Sequence, residues 1–314
     1  MSDIRIVFMG TPDFAVATLD ALLKANLNVV GVITAPDKPA GRGRKIHQSA
    51  VKKYTIENNL TVLQPANLKN EEFIASLKSL NANLQIVVAF RMLPKIVWQM
   101  PKYGTFNLHA SLLPNYRGAA PINWAIINGE TKTGVSTFFI DEKIDTGNII
   151  LQQEVTIGND EIVGKLHDKL MNTGSKLVVK TVELIKKGEV KTIKQPTTDT
   201  KPAPKIFNET CKINWNDSID NIYNLIKGLN PYPAAWTTLL NDEEEVTLKI
   251  YNVAQELENH SYKNGTVITS KNELKIAVKK GYIKIDSLKI AGKRKMDTKS
   301  LLNGYAFSKN SIVR

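Results

Sequence analysis

Short apolar runs and amphipathic stretches alternate along the first 190 residues. The runs at 4–9, 28–34 and 84–90 contain mostly hydrophobic side chains, as in strands that are covered on both faces of a sheet. Between these runs, at 14–25 and 70–80, apolar residues recur every three or four positions, which indicates amphipathic helices. This order predicts an α/β domain with a doubly wound, mostly parallel, Rossmann-like sheet. Asp13 stands where an N-cap of the first helix is expected.

The pattern changes after residue 208. An amphipathic stretch at 216–229 is followed by short alternating segments, which Asn-Asp, Asn-Gly and Lys-Gly turns separate. These segments lie at 237–240, 246–253, 265–269, 274–278 and 281–288. Five short antiparallel strands predict a C-terminal OB-like β-barrel, a fold that often binds nucleic acids.

The segment between the two patterns is polar, contains three prolines and has no helical period, which is typical of a linker. We therefore predict a catalytic α/β domain at 1–189, a linker at 190–208 and a C-terminal domain at 209–314.

Composition and charge narrow the function classes. The 314 residues carry 42 Lys and Arg against 30 Asp and Glu, a formal net charge of +12 that is spread over both halves of the chain. Such a charge fits a polyanionic partner, or simply a preference for lysine. The single cysteine excludes an internal disulfide, and the four histidines show no H-x-x-x-H spacing, so we expect no metal site. No apolar run reaches the ~20 residues of a membrane helix, and nothing at the N-terminus is typical of a signal peptide. We expect a cytoplasmic monomer.

Residues 104–120 carry the clearest candidate chemistry. Asn107 and His109 are two positions apart in a predicted strand, so their side chains point to the same face, roughly 6–7 Å apart. A carboxamide and an imidazole at the carboxyl end of a strand can stabilise a developing oxyanion and move a proton. For an isolated Asn-x-His the ordinary interpretation, a strand that ends in a turn at Pro114 and Gly118, is the more frequent one.

Asp145 lies between two further predicted strands, at 133–140 and 149–155. An Asp-Thr-Gly sequence at that place is typical of a turn. The functional alternative brings the carboxylate next to His109, where it would orient the ring and hold a proton. Nothing local in the sequence forces that approach.

Two basic segments are candidates for phosphate contacts. The stretch at 35–50 has no hydrophobic stripe and contains Lys38, Arg42, Arg44 and Lys45 among glycines and prolines, which predicts a flexible, exposed loop. Sixteen residues are long for such a connection, and long loops are often functional. Lys293, Arg294 and Lys295 form a second basic turn. Each segment is either a solvated surface or a nucleic-acid contact.

Six segments of the chain together resemble the folate-dependent formyltransferases. They are G-T-P-D-F-A at 10–15, P-D-K-P-A-G-R-G at 36–43, the run at 107–120, D-T-G at 145–147, the segment at 229–236 and A-G-K at 291–293. The central run would also suit formyltransferases that act on glycinamide ribotide or on a sugar amine. The P-A-G-R-G and N-P-Y-P-A-A-W segments are similar to those of the tRNA-acting members.

That resemblance implies transfer of a formyl group from 10-formyltetrahydrofolate to the α-amine of methionine on initiator tRNA, without a metal. Asn107, His109 and Asp145 match the catalytic trio of the family. The implied folate-binding residues are Phe90, Arg91, Met92, Ser111, Leu112, Leu113, Pro114 and Asp141. The implied tRNA-binding residues are Lys38, Arg42, Arg44, Lys45, Lys293, Arg294 and Lys295. Arg91 stands where the family commonly has glycine, which puts the local wall of the folate site in question.

Two rival hypotheses remain open at this stage. Formylation of a small amine such as a nucleotide-sugar would not explain the function of the 35–50 stretch or of the barrel. A non-catalytic RNA-binding protein with a degenerate α/β domain would lack a member of the trio, whereas all three are present.

Overall fold

The computed structural model describes residues 3–40, 45–196 and 200–314, with only the backbone described at 39, 40, 45 and 46. By its internal contacts the chain divides into two compact units. The first unit comprises Met1–Gly118, Thr133–Val155 and His167–Pro202; the second comprises Ala119–Lys132, Thr156–Leu166 and Ala203–Arg314. The domain boundaries that the sequence suggested stay a prediction.

The elements up to the long helix follow the expected alternation. They are β1 (Arg5–Gly10), α1 (Asp13–Lys24), β2 (Asn28–Ile33), β3 (Lys38–Ala40), β4 (Lys45–His47), α2 (Ala50–Glu57), β5 (Val62–Leu63), α3 (Glu71–Ser79), β6 (Leu84–Val88), α4 (Lys95–Trp98), β7 (Thr105–His109), β8 (Arg117–Gly118), α5 (Pro121–Ile127), β9 (Lys132–Phe139), β10 (Ile149–Thr156) and α6 (Val163–Lys187).

The first unit is built on a seven-stranded sheet in the order β10-β9-β7-β6-β1-β2-β5. Strands β5, β2, β1, β6 and β7 are parallel, and β9 pairs antiparallel with β7. The central strands β1 and β6 are almost fully buried, as their continuous apolar sequences require. The predicted Rossmann-like sheet is confirmed. Its order places β7 well inside the sheet, between β6 and β9.

Two local expectations were wrong. Asp13 does not cap α1: the cap is Pro12, whose carbonyl accepts from the backbone amide of Ala15 at 2.9 Å, and Asp13 is the first helical residue. A carboxylate in the first turn is still favourable because it faces the positive end of the helix dipole. The 35–50 stretch is also not a structureless loop, because β3 and β4 pair antiparallel as a small hairpin. Backbone pairing needs no hydrophobic stripe, so the sequence pattern missed it.

The second unit contains the predicted antiparallel barrel. The elements that follow α6 in the chain are β11 (Pro202–Ala203), a 3₁₀ turn (Glu209–Cys211), α7 (Ile219–Leu229), β12 (Ala235–Asn241), β13 (Glu244–Leu257), β14 (Val267–Thr269), β15 (Leu274–Val278), β16 (Gly281–Ile290), β17 (Met296–Asp297), α8 (Thr298–Leu302) and β18 (Ile312–Val313). The sheet runs β14-β15-β16-β13-β12-β18, and β17 pairs with β16. The amide of Val313 in β18 donates to the carbonyl of Gly265, just before β14, at 2.8 Å. This contact brings the two end strands of the sheet together and nearly closes the barrel.

Packing inside the barrel follows the alternation of its strands. Ile250, Ile276, Ile283 and Leu288 are at most 1% exposed and belong to one apolar core. That core also takes in the buried face of α7. Within the described ranges, no helix combines the length and the apolar character that spanning a membrane requires.

Candidate active site

The candidate site lies at the carboxyl end of β7. Asn107 pairs with Val87 of β6 on one side and with Phe138 of β9 on the other. His109, the last residue of the strand, pairs with Ser136. Because two residues separate them along a strand, both side chains leave the same face of the sheet. In an open α/β sheet, ligands bind beyond the carboxyl ends of the parallel strands.

His109 is held in one tautomer. Its ring is buried, and Nε2 lies 2.7 Å from the carbonyl oxygen of Tyr116. A carbonyl only accepts, so Nε2 must carry the hydrogen and donate it. Nδ1 is therefore the ring atom that is left for other chemistry. It lies 3.9 Å from Oδ2 of Asp145.

Asp145 reaches His109 from the loop that connects β9 and β10. Its backbone has φ = +56°, the left-handed region that non-glycine residues seldom adopt. The backbone amide of Gly118 donates to Oδ2 at 3.0 Å, which fixes the carboxylate on the side of the histidine. The structure thus brings together an imidazole and a carboxylate that lie 36 positions apart in the sequence.

Asn107 supplies an unsatisfied polar atom at this place. Its Oδ1 is buried and has no hydrogen-bond partner among the residues that the structure describes. Buried polar atoms are normally paired, because an unpaired one costs about 1–3 kcal/mol. Asn107 therefore has an unused acceptor on the face that His109 also occupies, and a ligand that donates a hydrogen bond would satisfy it.

The segment at 111–114 is shaped by a network of backbone contacts. Ser136 Oγ donates to the carbonyl of Ser111 at 2.6 Å and accepts from the amide of Leu113 at 3.1 Å. Gln152 Nε2 donates to the carbonyl of Leu113 at 2.9 Å and to Ser136 Oγ at 2.8 Å. Ser111 and Leu113 are buried, whereas Leu112 and Pro114 are half-buried. These contacts fix the course of the loop that follows β7.

Phe90, Arg91 and Met92 follow β6, the neighbour of β7, and leave the sheet at the same edge. The Arg91 guanidinium donates to the carbonyls of Pro65 and Ala66 and stands 5.5 Å from the centre of the Phe90 ring. Its partial desolvation lowers the pKa of Arg91 below the usual value. Arg91 thus fastens this segment to the 65–66 backbone, and Met92 stays exposed.

Asp141 accepts hydrogen bonds from residues of its own loop. Its Oδ1 accepts from Thr146 Oγ1 at 2.8 Å and from the backbone amide of Lys143 at 3.0 Å. Both contacts close the loop that carries Asp145. Binding of a ligand by Asp141, as the resemblance implies, stays a prediction.

The basic residues predicted to bind tRNA fall into two separate groups. Lys38 is exposed on β3, Lys45 is described by its backbone alone, and Arg42 and Arg44 lie outside the described residues. The base of the hairpin is anchored at Asp37, whose carboxylate accepts from Gln64 Nε2 at 2.9 Å and from Lys52 Nζ at 2.5 Å. These hydrogen bonds lower the pKa of Asp37.

The second basic group lies in the second unit, on the exposed turn between β16 and β17. Lys293 Nζ stands 5.0 Å from the Tyr305 ring centre, and Lys295 Nζ stands 4.3 Å from that of Tyr251. Each ammonium is therefore paired with an aromatic face. In the described part of the chain, no three or more His, Cys, Asp or Glu side chains cluster where they could hold a metal ion.

The sequence interpretation missed several groups that hold this site. The Tyr116 carbonyl and the Gly118 amide act through the backbone, which no side-chain motif reveals. Ser136 and Gln152 lie on β9 and β10, and their alternation within the strands was the only available signal.

Gly147 provides a test of how tightly the Asp145 loop is packed. A Cβ at this position would stand 1.7 Å from the carbonyl oxygen of Phe139, so Gly147→Ala must displace the backbone. We expect the free energy of unfolding to fall by about 1–3 kcal/mol, measured by urea denaturation. Gly304→Ala is the control, because nothing lies within 4 Å of a Cβ there. Equal stability of the two variants would contradict the close approach.

Family models cover most of the chain. The Formyl transferase model matches residues 4–182, and the model of the Formyl transferase C-terminal domain matches residues 205–306. The chain is 60% identical over 314 residues to the methionyl-tRNA formyltransferase of Flavobacterium johnsoniae, with 100% of both chains covered. It is 52% identical over 309 residues to that of Bacteroides fragilis, covering 96% of this chain and 95% of the relative.

Solved structures share the fold. A sugar 3N-formyl transferase superposes with a TM-score of 0.66 at 22% identity, covering 94% of this chain and 100% of that chain. HypX from Aquifex aeolicus in complex with tetrahydrofolic acid has a TM-score of 0.63 at 17% identity, covering 96% of this chain and 47% of that chain. At these identities the likeness concerns the architecture alone.

Proposed function

This chain belongs to the formyl transferase family, and on that premise we propose that it transfers the formyl group of 10-formyltetrahydrofolate to the α-amine of methionine on initiator tRNA. The observation that carries the proposal is the 60% identity, over the whole length of both chains, to a methionyl-tRNA formyltransferase. A cationic barrel turn and a net charge of +12 also suit a polyanionic substrate. The reaction joins a one-carbon unit to an amine and needs no metal.

The residues at the end of β7 fit a folate co-substrate. The unpaired, buried Oδ1 of Asn107 calls for a ligand group that donates a hydrogen bond, and the 111–114 loop and the segment after β6 leave the sheet at the same edge. When bound, the co-substrate supplies a formyl carbonyl that is attached to nitrogen. We infer that the loop 111–114, with Phe90, Arg91 and Met92, holds it there.

Asn107 and His109 act on the oxygen of the formyl group. Asn107 Nδ2 donates a hydrogen bond to that oxygen as negative charge develops on it. His109 can donate only from Nδ1, because its Nε2–H is committed to the Tyr116 carbonyl. That nitrogen faces Asp145, whose Oδ2 lies 3.9 Å away.

Asp145 handles the proton of the amine. The methionine nitrogen must be neutral to attack the formyl carbon, and it must lose one more proton after the new C–N bond has formed. Asp145 accepts that proton directly or through a water molecule. The proton then passes to the folate nitrogen, whose bond to the formyl carbon breaks, so that charge balances over the reaction.

Formyl transfer to purified initiator methionyl-tRNA tests the proposal. The assay measures formylmethionine released from the tRNA, with charged elongator methionine tRNA and a 3-amino nucleotide-sugar as the competing acceptors. We expect transfer to initiator tRNA at a kcat/KM at least ~10²-fold above either alternative. Preferred formylation of the sugar would replace the proposal with the small-amine reading. No transfer to any acceptor would favour a non-catalytic RNA-binding protein.

Arg42→Ala tests the tRNA contact that is predicted for the 35–50 stretch. A phosphate contact positions the substrate and does not react, so we expect a higher apparent KM for tRNA and an unchanged KM for folate. The salt dependence of tRNA binding should also fall by about one unit of log–log slope. Lys176→Ala, which removes an exposed cation from α6, is the control. Identical binding of Arg42→Ala and the parent protein across a salt series would contradict the contact.

Three further expectations belong to this proposal. We infer that Lys293, Arg294 and Lys295 contact tRNA phosphates from the second unit. The cytoplasmic location and the monomeric state that the sequence suggested stay predictions.

A further inference from the structure

Gln195 is a buried residue in a segment that the sequence assigned to a linker. It is 4% exposed, although it lies between exposed residues of a polar, proline-containing stretch. Both ends of its amide are used. Nε2 donates to the carbonyl of Asp145 at 3.0 Å and to that of Gly147 at 2.7 Å.

The other end of the amide is held by Arg117. Gln195 Oε1 accepts from Arg117 Nε at 3.1 Å and from Nη2 at 2.7 Å. Arg117 stands between Tyr116, whose carbonyl holds the His109 ring, and Gly118, whose amide holds the Asp145 carboxylate. The two neighbours of Arg117 thus each contact one member of the His–Asp pair. Gln195 ties this run to the backbone of the Asp145 turn.

The turn needs such support because of its backbone geometry. Asp145 is in the left-handed region, which a side chain disfavours unless the surroundings hold it there. One amide fixes the carbonyls on both sides of Thr146, so it restricts rotation of the whole turn. The carboxylate and the imidazole are 3.9 Å apart, a distance that small rotations of the turn would change.

We propose that Gln195 is a positioning residue for formyl transfer, which keeps the Asp145 carboxylate within reach of His109. The segment after α6 is therefore part of the active site and not a passive linker. This inference rests on the proposed function and goes beyond it, since neither the motifs nor the trio include Gln195.

Two substitutions distinguish the contacts that the Gln195 amide donates from those that it accepts. Gln195→Ala removes all four hydrogen bonds, whereas Gln195→Glu keeps an acceptor for Arg117 but cannot donate to the two carbonyls. We expect both variants to lose about 10²-fold in kcat, because misplacing a reacting group by about 1 Å costs that much. The KM values for folate and for tRNA should stay unchanged. Gln85→Ala is the control for loss of a buried glutamine: Gln85 is 1% exposed and pairs with the first residue of β7, at the other end of that strand.

The double variant with Asp145→Asn distinguishes positioning from general damage. If Gln195 acts through Asp145, Gln195→Glu should cost little more than ~2-fold in the Asp145→Asn background. A wild-type kcat for Gln195→Glu would overturn the inference, and so would the full ~10²-fold loss in both backgrounds. The Glu variant decides the matter if Gln195→Ala does not fold. The parent protein is assayed in the same experiment. If the proposed function is wrong, the parent protein itself will be inactive, and that result differs from an active parent with unaffected Gln195 variants.

Discussion

Asp145→Asn is expected to lose about 10²–10⁴-fold in the single-turnover rate of formyl transfer while the fold and folate binding persist. The carboxamide has the size of the carboxylate, and its oxygen can still accept from the Gly118 amide. It cannot take up the proton of the attacking amine. Loss of positioned proton transfer typically costs this much.

Rapid-quench measurements with bound initiator methionyl-tRNA provide the rate, and folate titration provides the affinity. Asp168→Asn is a matched control, because Asp168 also faces a histidine, with Oδ1 3.1 Å from His167 Nδ1, but lies exposed on α6. We expect that variant to react at the parent rate. A nearly unchanged single-turnover rate for Asp145→Asn would remove Asp145 from the mechanism.

Asn107→Ala is expected to lose about 10²–10³-fold in kcat, the typical effect of removing one donor to a developing oxyanion. Its thermal stability should change little. The substitution removes packing, but it also removes a buried oxygen that has no partner in the described chain. A large loss of rate without a loss of stability is the signature of a group that is placed for its ligand.

The control for Asn107→Ala is Thr18→Val in α1, which removes another buried oxygen without a partner in the described ranges. There we expect unchanged turnover and equal or higher stability, followed by differential scanning calorimetry. An Asn107→Ala protein that melts much earlier than its parent, and loses rate only in proportion, would make Asn107 a structural residue.

The two results together would divide the chemistry of the site. Asn107 acts on the formyl oxygen, so its loss should slow transfer at every pH. Asp145 acts on a proton, so the rate of Asp145→Asn should recover in part as pH rises and the amine loses its proton unaided. An identical pH dependence for both variants would argue against this division.

Much of the fold could be predicted from hydrophobic periodicity. Strands β1, β2, β6 and β7 and the five main barrel strands were expected within a few residues of their observed bounds, because a strand or a helix imposes its period on its own residues. The β3–β4 hairpin was missed, since its pairing depends on backbone hydrogen bonds. The N-cap of α1 was displaced by one residue, because Pro12 and Asp13 are both compatible with a helix start.

Within the site, the order of residues was enough to identify the groups that are present: an amide and an imidazole on one strand face, and a carboxylate in a turn. The folded chain was needed to show that Asp145 lies 3.9 Å from His109, that the Tyr116 carbonyl selects the tautomer, and that Gln195 contacts the turn. Local periodicity cannot encode contacts between residues 36 or 50 positions apart. Those contacts form only in the folded chain, where the order of the strands, the left-handed backbone of the Asp145 turn and the hydrogen bonds of the buried Gln195 amide occur together.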